Sequence, residues 1–144
     1  MDPKIKYTRE AMLNHRIYEK AKELALTNGE KYHVACVIWR RNKPVKVCVN
    51  SKKTHPKFLR QKTNGAVVSC LHAEMSALRF YQQGDRIEVL RFLKCGSTTM
   101  ARPCSECQAF LNQYQIKLVR YTNWQGLWEE LDLTTRDTQY QPCV

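Results

Sequence analysis

Between Thr8 and Gly29, the segment TREAMLNHRIYEKAKELALTNG places Leu13, Ile17, Ala21 and Leu24 at the spacing of a buried helical stripe. Thr8 suits the N-cap, Glu10 the first turn, and Asn28-Gly29 the end. His15 falls outside the stripe and is expected on the surface. The periodicity then changes. HVACVIW, from His33, is a continuous apolar run that suits a buried strand, RRNKP makes a turn, and VKVCVN alternates and completes a hairpin. His33 reads as a strand-boundary residue. Residues 51 to about 70 show no clear period, and an irregular connection of that length in a compact domain is usually functional or mobile.

A second helix is expected from His72 to Gln82, closed by QQGD, and IEVLRFL follows as a strand. CGSTTMARP leads into a third helix over 104–113, with Pro103 just before its first turn, and IKLVRY is the next strand. A strand, a helix and a strand in close succession describe a right-handed parallel crossover. WQGLWEELDL reads as a last short helix, with Trp128 and Leu131 packed on the sheet. The pattern thus predicts a single α/β domain over 1–144, with three α/β/α layers. Its sheet is mixed, an antiparallel hairpin followed by parallel strands.

A chain of 144 residues, 43% hydrophobic, suffices for one ordinary core. No apolar run reaches the roughly 18 residues of a membrane span. MDPKIKYTRE lacks the apolar stretch of a secretory signal, so a cytoplasmic address is expected. The seven cysteines are then free or metal-bound rather than paired. Cys36, Cys48, Cys70 and Cys95 lie in or beside apolar stretches and read as small core hydrophobes, while Cys143 is assigned no role.

Charge changes the picture more. Lysine and arginine outnumber aspartate and glutamate 24 to 13, a net charge of +11. From Lys31 to Ala73 there is no acidic residue and there are ten basic ones. Such a block attracts phosphate-bearing partners, either a nucleotide or single-stranded nucleic acid, although a solvated basic face without a partner is the plainer alternative.

The candidate chemistry lies in SCLHAEMSAL and ARPCSECQAF. His72 and Glu74 stand at the start of one expected helix, and Cys104 and Cys107 at the start of another. A Cys-x-x-Cys at a helix N-terminus directs both sulfurs to one point, and the helix dipole favours thiolates there. A catalytic zinc takes three protein ligands and leaves its fourth position to water. His72, Cys104 and Cys107 supply three, and Glu74 is then the general acid and base. Zinc lowers the pKa of its water toward about 7. A glutamate can take the proton and hand it to a ring nitrogen, then to a departing amine. The pairing of H-x-E with P-C-x-x-C is the zinc deaminase signature, here His72-Ala73-Glu74 and Pro103-Cys104-Ser105-Glu106-Cys107. Each half alone is common; both together, each opening a helix, are specific.

With these motifs the chain resembles the cytidine deaminase superfamily over nearly its whole length. The order of helix, hairpin, HAE helix, strand, PCxxC helix and parallel strand is similar to that family's core. Histidine at position 72 resembles the branch of deoxycytidylate, tRNA adenosine and polynucleotide cytidine deaminases. IKLVRYT is most similar to deoxycytidylate and phage-type nucleotide deaminases. The resemblance implies a cytidine-deaminase-like fold, bound Zn2+, and hydrolysis of cytosine to uracil in a free nucleotide, with deoxycytidylate (dCMP) the expected substrate. It implies that Asn50 holds the sugar or base and that the backbone at Ala73 contacts the pyrimidine edge. NSKKTHP resembles a substrate loop in which Lys52, Lys53 or His55 reaches phosphate, and basic residues between 40 and 62 are expected to share that contact. A homo-oligomer is compatible with the resemblance. GSTTMARPC departs from the family's usual TxxPC continuation.

Two alternatives stay open. One is the same chemistry on single-stranded DNA or RNA, with Trp39, Tyr81, Tyr121 or Trp124 stacking bases, although the apolar run around Trp39 favours the core for that residue. The other is a zinc-stabilised binding module without catalysis, which leaves Glu74 without a purpose.

Overall fold

Helix α1 (Arg9–Leu26) opens the fold and ends where Gly29 takes φ 75°, a left-handed conformation that glycine adopts without a Cβ clash. The computed structural model describes residues 9–51, 60–61, 67–68, 72–116 and 118–131. The buried face of α1 carries Ala21 and Ala25, flanked by Ile17 and Tyr18, whereas Leu24 is 38% exposed. The expected stripe is therefore rotated, because two alanines let the helix approach the sheet more closely than a leucine would. His15 is exposed, as its position off the stripe implied.

Strands β1 (His33–Arg40) and β2 (Lys43–Val49) form the hairpin. The two-residue turn between them has Arg41 at φ 52° and Asn42 at φ 63°, the conformation that matches the twist of a tight hairpin. Asparagine tolerates it; arginine is strained there by about 1 kcal/mol. We expect Arg41→Gly to raise stability by about 0.5 kcal/mol in chemical denaturation, the relief of strain exceeding the added chain entropy.

Two-residue strands β3 (Arg60–Gln61) and β4 (Val67–Val68) pair antiparallel, and nothing else between Lys52 and Leu71 is described. Helix α2 (Ala73–Leu78) is shorter than expected, and all six of its residues are buried. Strands β5 (Arg86–Phe92) and β6 (Thr98–Thr99), helix α3 (Ser105–Gln113) and strand β7 (Val119–Thr122) follow. The last element is a strand, β8 (Trp128–Glu130), and not the short helix that WQGLWEELDL suggested. Asn123 Oδ1 accepts from the N–H groups of Gln125 and Leu127 and closes a turn, so that β8 can cover the edge of β7. Pairing an open sheet edge outweighs a weak local helix preference.

The sheet runs β2-β1-β5-β7-β8, with β6 on β5. Among the described strands only β5 and β7 pair parallel, joined through α3; the other contacts are antiparallel. This is a mixed three-layer α/β/α arrangement. On one face α1 covers Ala35, Val37, Trp39, Leu90 and Phe92; on the other α2 and α3 cover Cys36, Ile38, Ile87, Val89 and Val119. Cys36 and Cys48 face each other in register and are buried thiols, whereas Cys95 is exposed in the turn after β5, contrary to its expected core place. Cys70 and Cys143 lie outside the described residues. No described helix is long and apolar enough to cross a membrane.

The two ends of the sheet are distinct. His33 of β1 lies opposite Phe92 of β5 at one end, and Trp39 opposite Arg86 at the other. At the second end Arg40 clamps Asp85 through two 2.9 Å bonds and reaches the Phe80 carbonyl. Burial pushes the Asp85 carboxyl upward, but the Arg40 guanidinium and the Gln82 N–H outweigh it and hold the group below its ordinary value. The clamp ties the hairpin to the link between α2 and β5.

Candidate metal centre

His72 caps the N-terminus of α2 and Cys104 that of α3, both with extended backbone. The sheet brings these two helix starts together. β5 ends at Phe92, the chain turns through β6, and the Ala101 N–H bonds the Thr122 carbonyl at 2.8 Å, which delivers Pro103-Cys104 to the carboxyl ends of β5 and β7. His72 Nδ1 lies 3.0 Å from Cys107 Sγ and 3.5 Å from Cys104 Sγ. The three ligand atoms lie within 4.8 Å of one another and all three residues are buried. A tetrahedral zinc with bonds of about 2.0–2.3 Å separates its ligand atoms by roughly 3.5–3.8 Å, so this donor set fits that ion. Among the described residues the group supplies two thiols and one imidazole, and a catalytic zinc takes three protein ligands with water in the fourth position.

Glu74 is fully buried on the first turn of α2. Its charge helps to push the Cys36 thiol, already raised by burial, well above its usual range. A carboxylate inside the protein two residues from a ligand is costly unless it serves chemistry or pairing.

Asn50 sits at the end of β2, 2% exposed. Its Oδ1 accepts from Val34 N at 3.0 Å and from Asn28 Nδ2 at 2.7 Å, and its Nδ2 donates to the Tyr32 carbonyl at 3.0 Å. These bonds use both acceptor positions and one of the two amide N–H groups. We expect Asn50→Ala to cost about 2 kcal/mol in denaturation, because it leaves the buried Val34 N–H without its acceptor. Ala73, fully buried, opens α2 beside His72. Lys52, Lys53 and His55 lie outside the described residues.

The structure corrects one expectation about phosphate. Arg40, Arg41, Lys43 and Lys46 surround the hairpin turn at the end of the sheet away from the metal ligands. Of the aromatics considered for base stacking, Trp39 and Tyr121 are buried, Tyr81 is half-buried, and Trp124 is 54% exposed.

Sequence reasoning missed one group. Arg102, directly before Pro103-Cys104, is buried and donates through Nη1 to the Tyr121 hydroxyl at 3.0 Å, and that hydroxyl donates to Glu129 Oε2 at 2.8 Å. This chain anchors the segment that departs from the family pattern and sets the approach of Cys104. Its only sequence signal was an arginine inside a motif.

A buried His-Cys-Cys set, with a buried carboxylate two residues from its histidine, at the carboxyl end of a mixed α/β sheet marks a deaminase-type protein with a candidate metal centre. Residues 9–123 match the family described as the cytidine and deoxycytidylate deaminase zinc-binding region, and the chain belongs to that family. Its fold is similar to that of dCMP deaminase from the cyanophage S-TIM5 in complex with dCMP and dUMP. The TM-score is 0.51 at 17% identity, over 83% of this chain and 85% of that one. The apo form of the same cyanophage enzyme gives a TM-score of 0.45 at 18% identity, over 76% of this chain and 84% of that one. No curated protein matches the chain.

Proposed function

We propose that this protein is a zinc-dependent hydrolase that converts cytosine to uracil in a free nucleotide, with dCMP as substrate. One observation carries the reading: His72, Cys104 and Cys107 converge as a buried three-ligand set, with the buried Glu74 carboxylate two residues from the histidine. His72 Nδ1 and the two thiolates would hold the ion. Bound zinc supplies a water whose pKa falls toward about 7, and so a nucleophile at neutral pH.

The remaining steps belong to the chain. Glu74 accepts the proton of the attacking water and delivers it to the pyrimidine ring nitrogen. It then takes the proton of the hydroxyl added at C4 and passes it to the exocyclic amine, which leaves as ammonia while C4 keeps the oxygen as a carbonyl. Water plus cytosine gives uracil plus ammonia, with no other reactant. The backbone at Ala73 meets the pyrimidine edge, and the remaining amide N–H of Asn50 holds sugar or base. Phosphate contact falls to Lys52 or His55. The cyanophage enzyme, whose structure contains dCMP and dUMP, supports a nucleotide substrate by likeness of fold.

A second reading places the same chemistry on cytosine within a single strand, and the net charge of +11 favours it. The test is to incubate the zinc-loaded protein with dCMP and, separately, with a cytosine-containing single-stranded oligonucleotide, and to quantify uracil in both. Turnover of dCMP alone is the expected result. Turnover of the oligonucleotide alone overturns the free-nucleotide reading, and zinc retention without turnover of either removes cytosine as the base and leaves adenine substrates or a binding module.

A further inference from the structure

The end of the sheet away from the metal centre is basic and aromatic. Phe80, 40% exposed, has Lys46 Nζ 4.8 Å and the Arg79 guanidinium 5.4 Å from its ring centre. Arg86 lies 5.0 Å over the Trp39 ring and donates to Asn42 Oδ1 at 3.0 Å. A groove of about 730 Å³ opens beside them, lined among others by Arg41, Arg86, Tyr81 and Tyr114. Stretches 40–46, 79–86 and 111–116 form this end and carry six arginines and lysines against one carboxylate, Asp85, which Arg40 already holds. Arg41 occupies a strained turn position that asparagine or glycine would fill without cost, so its side chain is displayed at the expense of stability.

Arg41 lies five residues along β1 from Cys36, roughly 17 Å at about 3.3 Å per residue, whereas Arg79 and Phe80 follow Glu74 by five and six residues at the end of α2. A single nucleotide at the metal centre does not reach Arg41, so a ligand that uses Phe80, Lys46, Arg79 and Arg41 together is longer than one nucleotide. A cation cluster with an exposed ring between its members therefore asks for a different ligand. We propose that this end of the molecule binds single-stranded nucleic acid. Lys46 and Arg79, which lie over the Phe80 ring in the free protein, swing off it so that a base stacks there, and with Arg41 and Arg86 in the groove they take successive phosphates. An aromatic face flanked by cations accepts any base and tracks the backbone, which is how strand binding without sequence preference works. An acidic protein surface would use the charges but would gain nothing from stacking on the ring. The inference stands apart from the chemistry at Glu74.

The test is fluorescence anisotropy of the full chain with a labelled oligothymidylate over a salt series, for the wild type, Lys46→Glu/Arg79→Glu and Phe80→Ala. Wild-type affinity is expected to fall linearly with salt on logarithmic axes, by about 0.7 per phosphate contacted. The double charge reversal should weaken binding at least tenfold and flatten the slope by about 1.4. Phe80→Ala should weaken binding by about tenfold with the slope unchanged, because it removes stacking and no charge. All three exchanged side chains are exposed, and dCMP turnover by each variant should match the wild type. Glu74→Ala should bind the oligonucleotide normally, so failure of the deamination reading does not affect this readout. No binding by the wild type at low salt, or equal binding by the variants, overturns the proposal. So does equal competition by inorganic polyphosphate with no effect of Phe80→Ala, which would assign the surface to polyanions in general.

Discussion

Glu74→Ala is expected to keep its zinc and its fold and to lose deaminase turnover by about 10²–10⁴-fold, the usual contribution of a positioned acid-base group. Glu74 is the buried carboxylate nearest in sequence to the ligands, and no other acidic residue lies between Lys31 and Arg79. The reaction needs a proton moved from water to the ring and then to the amine, and neither a thiolate nor an imidazole engaged by the metal can carry it. Glu74→Gln preserves shape and a polar side chain but cannot exchange a proton at neutral pH, so it should lose as much activity as the alanine variant. Metal content by atomic emission, circular dichroism and uracil formation from dCMP read the three quantities separately. Turnover of both variants within about tenfold of the wild type would remove Glu74 from the chemistry.

Cys107→Ser is expected to abolish metal binding and turnover together and to lower the melting temperature. The serine hydroxyl does not ionise near neutral pH, so it replaces the volume of the thiol without its ligand strength. Cys107 is fully buried and its sulfur is the closer of the two to His72 Nδ1. An ion bound at about a thousand times its dissociation constant adds about 4 kcal/mol to stability. For a chain of this size that is about 10 °C. Chelation of the wild type should produce the same fall, and added zinc should reverse it. Affinity should also drop in acid, because the thiols and the imidazolium that acid favours must first lose their protons. A variant that keeps one equivalent of zinc and melts within about 2 °C of the wild type would exclude Cys107 as a ligand.

Much of the fold was legible because its signals are local. The apolar run of β1, the alternation of β2 and the Asn28-Gly29 stop each occupy a few neighbouring residues, and each element formed where its pattern lay. The errors share a different origin. Leu24 fits a helical period, but which face of α1 turns inward depends on how closely Ala21 and Ala25 approach the sheet. WQGLWEELDL has no strong local bias, and the open edge of β7 decided it as a strand. Gly126 shows the same dependence. A Cβ there would lie 2.9 Å from the Thr98 carbonyl oxygen, a clash set by a strand more than twenty residues earlier.

The sequence by itself singled out His72, Glu74, Cys104 and Cys107 as the candidate site, because they stand at the starts of two helices, and spacing along one turn is a local property. It also determined that the chain is strongly basic. Only the tertiary structure decided where that charge goes. A run of basic residues beside a motif looks like part of its site, but β1 carries Arg40 and Arg41 to the opposite end of the sheet before β2 returns to Asn50. Strand length and direction, which no composition records, carried the first part of the basic block away from the metal ligands. The same long-range pairing placed Asn28, Tyr32 and Val34 around Asn50, and Tyr121 against Arg102, since contacts between residues distant in sequence exist only once the sheet has formed.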